Sequence, residues 1–226
     1  MRKLARIAER HWSMLAFSLF CLASCDREPQ EIVLAVRVVQ WAQPDLPGEG
    51  VKVILEEQRL TNGVVNAFFT AVDEQVTDAN GMVELKTERT NVLAMRLRAE
   101  KEGCFDEILN VSPGSLVSDG TPNPFNLAIM PLCLVQADID NTNSPCPTTA
   151  MLYKWIPREV DGAASDVKWT CSTNWQQSSP GSLEGSTCYI TGGTWLLHRR
   201  DWSCIDSSMI DSVWCPEGGV VTLLLN

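Results

Sequence analysis

The sequence predicts an all-β chain, two tandem β-sandwiches behind a helical leader, and three observations carry that reading. Short runs of alternating apolar and polar residues, bounded by Gly, Pro and Asn, recur from residue 31 onward. No long stripe with a 3.6-residue period follows the leader. Seven cysteines and six of the eight tryptophans fall between residues 104 and 215, which suits small cross-linked cores. Once a leader is removed, about 200 residues remain, room for two domains of ordinary size.

The leader comes first. Arg2, Lys3, Arg6 and Arg10 precede an apolar run over residues 12–22, the charged and hydrophobic regions of a signal peptide. That run is shorter than the roughly 20 residues a membrane-spanning helix needs. Leu22-Ala23-Ser24-Cys25 then resembles the processing box of a bacterial lipoprotein. The resemblance implies cleavage after residue 24, a lipid on Cys25, residues 25–30 as a tether, and a location in the bacterial cell envelope. Two or more acyl chains give a stable anchor where one does not. Cys21 does not fit, because Phe20 occupies the position that needs a small residue. An ordinary secretory signal is the alternative, and Leu22 suits the lipobox better. Asp26 resembles a retention signal for the inner membrane in some bacteria, so both membranes stay open.

Removing residues 1–24 leaves 14 basic against 27 acidic residues, a net charge near −13. Nucleic-acid binding needs clustered Lys and Arg, and these are scattered among acids. Cys104, Cys133, Cys146, Cys171, Cys188, Cys204 and Cys215 follow Cys25, an odd number that leaves one thiol out of three bridges. Spacing alone allows about 105 arrangements. The expected bridges join neighbours: Cys104 with Cys133, Cys171 with Cys188, and Cys204 with Cys215, leaving Cys146. With no Cys-x-x-Cys pair, and His198 the only histidine after the leader, neither a metal nor a cofactor is expected.

Strands are expected at residues 32–41 and at 50–56, where Val51, Val53 and Leu55 share a face. An Asn62-Gly63 turn leads to a strand at 67–76. In Thr77-Asp78-Ala79-Asn80-Gly81-Met82-Val83-Glu84-Leu85, Asp78 caps its own turn, Asn80 and Gly81 accept positive φ, and Val83 and Leu85 point inward. Residues 92–99 place Leu93, Met95, Leu97 and Ala99 on one face and arginines opposite. A closing strand is expected at 126–132, with Pro131 marking an edge or bend.

This order of signals resembles a carboxypeptidase regulatory-like, transthyretin-like β-sandwich over about residues 31–132. Residues 50–55 match its Gly-Val-x-Val-x-Leu strand, and residues 77–85 its Thr-Asp-x-x-Gly hairpin with Val83 in the aromatic slot. Residues 93–105 match its later strand and Gly-aromatic close, without the tyrosine. The resemblance implies an accessory domain of transthyretin-like or Ig-like topology. From Cys133 the pattern restarts, with strands expected at 134–138, 149–155, 193–199 and 219–225, so residues 133–226 are expected to be a second, Cys- and Trp-rich sandwich. The Ser-rich stretch 165–187 replaces its hairpin.

Catalysis is not expected. Gly181-Ser182-Leu183-Glu184-Gly185 places its serine one position early for a nucleophile elbow, and the histidines of the urate-pathway hydrolase that shares the transthyretin-like fold are missing. Asp138-Ile139-Asp140-Asn141-Thr142-Asn143 offers oxygens for calcium but lacks an EF-hand's glycine and late glutamate, so a polar turn is expected. Among the tryptophans, Trp169 and Trp202 each share a face with a cysteine and are expected in the core. Trp155, Trp175 and Trp195 are the candidate surface, ligand-binding rings. Two functions compete: a structural, protein-interaction module anchored to a membrane and held to an envelope protein partner, and a polysaccharide-binding module that uses those tryptophans.

Overall fold

The computed structural model describes residues 30–61, 63–142, 146, 148–157, 167–202, 204–205 and 207–225. The signal segment and Cys25 lie outside these, as do Asn62 of the expected turn and Asn143 of the expected polar loop. The chain is nearly all β. No helix among the described residues is long and apolar enough to cross a membrane.

The first half contains β1 (Glu31–Gln40), β2 (Gln43–Pro47), β3 (Lys52–Thr61), β4 (Val64–Val65), β5 (Thr70–Val76), β6 (Met82–Glu88), β7 (Val92–Glu100), β8 (Cys104–Phe105) and β9 (Glu107–Val111). It ends in β10 (Pro122–Asp140), which continues into the second half. After it come β11 (Met151–Pro157), β12 (Gln176–Ser178), β13 (Leu183–Thr191), β14 (Thr194–Trp202), β15 (Ser207–Cys215) and β16 (Val220–Leu225).

Alternation explains the first half. Val51, Val53 and Leu55 are all fully buried, as are Leu85, Leu97 and Ala99. Leu93 is a correction: it is exposed, because the register between β3 and β7 shifts at Gln58 and Arg59 and the start of β7 turns outward. Arg96 and Arg98 line the outer face of β7 and pair with Glu56 across the strands at 2.5 and 3.2 Å.

The hairpin at residue 78 forms as the sequence predicts. The Asp78 carboxylate accepts hydrogen bonds from the amides of Asn80 (2.9 Å) and Met82 (2.8 Å). Those bonds hold its pKa below the usual carboxylate value. Of the turn residues only Gly81 takes positive φ, at 73°. A Cβ on Gly81 would lie 2.4 Å from the Val38 carbonyl oxygen, a backbone atom that cannot move aside. Gly81→Ala is therefore expected to destabilise the chain by roughly 1–3 kcal/mol through strain and collision. Gly63→Ala, also at positive φ but in open space, should lose less in parallel urea titrations.

The most consequential departure is β10. A closing strand at 126–132 and a new strand at 134–138 were expected; they are one 19-residue strand. Residues 122–129 pair in parallel with β1, residues 130–131 pair with β8, and residues 132–140 pair with β13. Pro131 sits at the hand-over, where its carbonyl accepts a hydrogen bond from the Gly192 amide (2.7 Å). Pro122 and Pro124 fall where β10 has β1 as its one lateral partner, so their missing amides leave no gap in a ladder.

Pairing repeats around this strand. In the first half β1 lies between β10 in parallel and β6 antiparallel, while β3 lies between β5 and β7, and β7 pairs β9. In the second half β10 lies between β16 in parallel and β13 antiparallel, while β11 lies between β12 and β14, and β14 pairs β15. The buried apolar residues form two clusters, one drawn from residues 32–129 and one from 133–225. Trp41, which follows β1, packs against the second cluster.

The cysteines correct the expected pairing. Cys171 and Cys188 are bridged as expected, but Cys146 bonds to Cys204. Cys204 follows β14 at the closed end of the β14–β15 hairpin, while Cys215 lies opposite Thr194 at its open end. Eight residues of strand, about 27 Å, separate them. Cys104, packed against the first cluster, and Cys133, in the second, are both free thiols and are not bridged. Cys133 and Cys215 are fully buried free thiols that hydrogen-bond to each other. Burial, with the Cys133 sulfur beside it, pushes Cys215 up to about 12, so it is a neutral, unreactive thiol.

Candidate functional site: an aromatic sheet face

β11, β12, β14 and β15 form one sheet whose inner side covers the second cluster. On β14 the even positions, Leu196, His198, Arg200 and Trp202, point inward. The odd positions, Trp195, Leu197, Arg199 and Asp201, face out. The same alternation on β11 buries Met151, Tyr153 and Trp155 and turns Leu152 and Lys154 outward.

Trp155 is thus not a surface ring. It is 1% exposed and meets the buried His198 edge-on, ring centroids 6.1 Å apart. Trp175 and Trp195 do reach solvent, at 43% and 40% exposure. Trp169 is a second correction: it is exposed although Cys171 is bridged, because it lies outside the regular strands, in a segment whose neighbours Lys168 and Thr170 hydrogen-bond to Thr191 and Tyr189 beside its isolated pairing with Ile190. Trp202 is buried as expected.

Register adds residues that the sequence did not single out. Trp214 of β15 stands directly opposite Trp195, the two rings packed edge-to-face at 5.5 Å. Trp175 lies beneath two cations, with the Lys154 ammonium 4.7 Å and the Arg199 guanidinium 5.5 Å from its ring. Arg199 is itself paired with Asp201 at 2.9 Å. Trp195 stands four residues before Arg199 on the same strand face, about 14 Å along it. Ile210 is exposed on the adjoining strand, directly opposite Arg199. The result is an outer face with aromatic rings at two points and cations between them. Such a surface suits amphipathic contact with a protein or a sugar ring. The signal for Trp214 was its alternation with Ser212 and Ile210, legible once β14 and β15 are placed in register.

Beneath this face His198 is 4% exposed. Arg200 and Asp211 are its charged neighbours: Asp211 accepts from Arg200 at 2.9 Å and lies 3.9 Å from the imidazole. Burial, then the Arg200 charge, hold the His198 pKa below its usual 6.5, with Asp211 opposing. The unfolded chain therefore takes up a proton near pH 6.5 that the folded chain resists, so stability is present above that pH and is lost as pH falls through and below it. The slope approaches about 1.4 kcal/mol per pH unit between the two pKa values. Denaturation midpoints from pH 7.5 to 5.5 should fall in the native chain and flatten in His198→Gln.

Asp140 makes a local turn, its carboxylate accepting from the Thr142 amide at 2.9 Å, while Asn141 is buried against the Ser178 carbonyl. Among the described residues no cluster of three metal-ligating side chains occurs.

No protein-family model and no curated protein matches the chain. Among solved structures, the Bacillus anthracis TIE protein is similar at 7% identity and a TM-score of 0.37 over 87% of this chain, which spans 34% of that protein. A streptococcal ancillary pilin gives 13% identity and a TM-score of 0.32, over 88% of this chain and 63% of that one. A double mutant of the shaft pilin SpaA from Lactobacillus rhamnosus GG gives 10% and 0.30, over 87% and 97%. The chain thus spans about a third of the first of these proteins and just under two thirds of the second. All three are β-rich, and scores of this size carry no functional argument.

Proposed function

We propose that the chain is an exported, non-catalytic structural and protein-interaction module of the bacterial cell envelope. It is anchored through a lipid on Cys25 and built from two β-sandwich units, residues 31–132 and 133–226, the first of carboxypeptidase regulatory-like type. The supporting observation is the repeated strand pairing around one uninterrupted strand. Two sandwiches joined without a linker make a stiff spacer, since relative motion of domains needs a flexible connection. The outer face of Trp175, Trp195 and Trp214 supplies a docking surface rich in the residue type that dominates interface energetics.

The anchor has its own test. Cys25→Ala should accumulate unprocessed and without lipid label; normal processing of that variant sinks the lipoprotein reading. Crosslinking in intact cells followed by mass spectrometry should then trap defined envelope proteins. A second reading, polysaccharide binding, is favoured by the exposure of Trp175 and Trp195 on one face. It predicts glycan-array hits that weaken in Trp175→Ala and Trp195→Ala with the fold intact.

A further inference from the structure

The two parallel strand pairs hold a property that stiffness alone does not describe. β1 enters the fold at Glu31, and the β10 segment beside it leaves toward the second half at Pro131. The strands are parallel over eight registered positions, from Val33 opposite Pro122 to Gln40 opposite Ile129. Entry and exit therefore lie at opposite ends of the pair. Tension between a point before residue 31 and any point in the second half slides the two strands along each other and loads their ladder bonds together. In an antiparallel hairpin the same tension opens the bonds one at a time. The second half repeats the arrangement, with Leu134 opposite Val220 through Ile139 opposite Leu225, again in parallel.

Other contacts support this use. Leu34, Val36, Val38, Leu127 and Ile129 of the first pair are buried, so water does not compete for a stretched bond. The buried Asn123 side chain donates to the carbonyls of Val33 and Val117, both at 3.0 Å, and pins the start of β10 to β1. At the hand-over, the amide of Trp41 donates to Ile129 (3.0 Å) and that of Gly218 to Leu132 (2.8 Å). The Lys168 ammonium reaches Glu107 across the halves at 2.6 Å.

We propose that the chain is a tension-bearing spacer in which β1 with β10, and β10 with β16, act as two shear-loaded clamps in series. This rests on the structural-module reading and adds the load that such a module carries.

Single-molecule force spectroscopy tests it on the full chain, with one handle ahead of Gln30 and the other after Leu225. Moving the second handle to the exposed Thr121 puts both at the same end of the β1–β10 pair, so the same bonds peel in turn. Equal thermal midpoints of the two handled proteins establish that both are folded. The end-to-end geometry should rupture at several times the force of the peeling geometry, since forced unfolding is set by the unfolding barrier. The first clamp should release about 340 Å, the extended length of residues 31–129. Reductant should lengthen the other release by about 200 Å, because the bridge between Cys146 and Cys204 holds a separation of 58 residues. Equal or lower force end-to-end overturns the inference. A chain that captures envelope proteins yet peels at low force in both directions overturns this inference alone.

Discussion

Trp155→Ala should lower the unfolding free energy by about 3–5 kcal/mol, the range for truncating a fully buried aromatic side chain. Trp155 lies in the middle of β11, enclosed by the second cluster and against His198, and its removal leaves a cavity that paired β-strands cannot collapse to fill. A chain of this size has only about 5–15 kcal/mol to lose. The same substitution at Trp175 or Trp195 should leave the urea midpoint nearly unchanged, because both rings already reach water. A large loss at Trp195 and none at Trp155 would reverse the assignment of faces on this sheet.

Opening the bridge between Cys146 and Cys204, with both residues changed to Ser, should cost about 4 kcal/mol by the chain-entropy relation for a closed loop of 58 residues. The bridge between Cys171 and Cys188 closes 17 residues and should cost about 3 kcal/mol by the same relation. Calorimetry of the two double mutants checks the ranking. Non-reducing peptide mapping should recover both linked peptides and a free Cys133 and Cys215. Recovery of a Cys204–Cys215 peptide would contradict the register of β14 with β15.

The first half was legible because its signals agree with one another. Alternation in β3, β6 and β7 from Met95 onward, and a turn whose Asp78 supplies its own hydrogen bonds, fix which residues point inward; Leu93 at the start of β7 turns out because of a register shift against β3 that the sequence does not carry. The second half was legible in β11, β14, β16 and its part of β10, and not in β12, β13 and β15 or in which faces are buried. Met151, Tyr153 and Trp155 alternate with Leu152, Lys154 and Ile156, so both parities carry apolar residues and the buried one is chosen by the sheet behind it. Pro131 was expected to mark an edge or a bend, yet the strand does not stop there, because its carbonyl accepts from the Gly192 amide and its neighbours find partners on β8 and β13. The cysteine pairing was hidden for a related reason: neighbours in sequence are placed at opposite ends of a hairpin by strand length, a distance no spacing rule contains. Trp214 needed the register of two strands before it could join Trp195.

The central claim, that the outer face of the second half docks an envelope protein, is tested most directly by site-resolved photo-crosslinking in intact cells. A crosslinker at Ser212, which faces out between Trp214 and Ile210 on β15, leaves the tryptophans in place. It should trap one or a few defined proteins, while the same group at the exposed Asp45 of β2 in the first half should not. No protein adduct from Ser212, in cells where the chain saturably retains a polysaccharide through Trp175 and Trp195, would contradict the claim and establish the sugar-binding reading in its place.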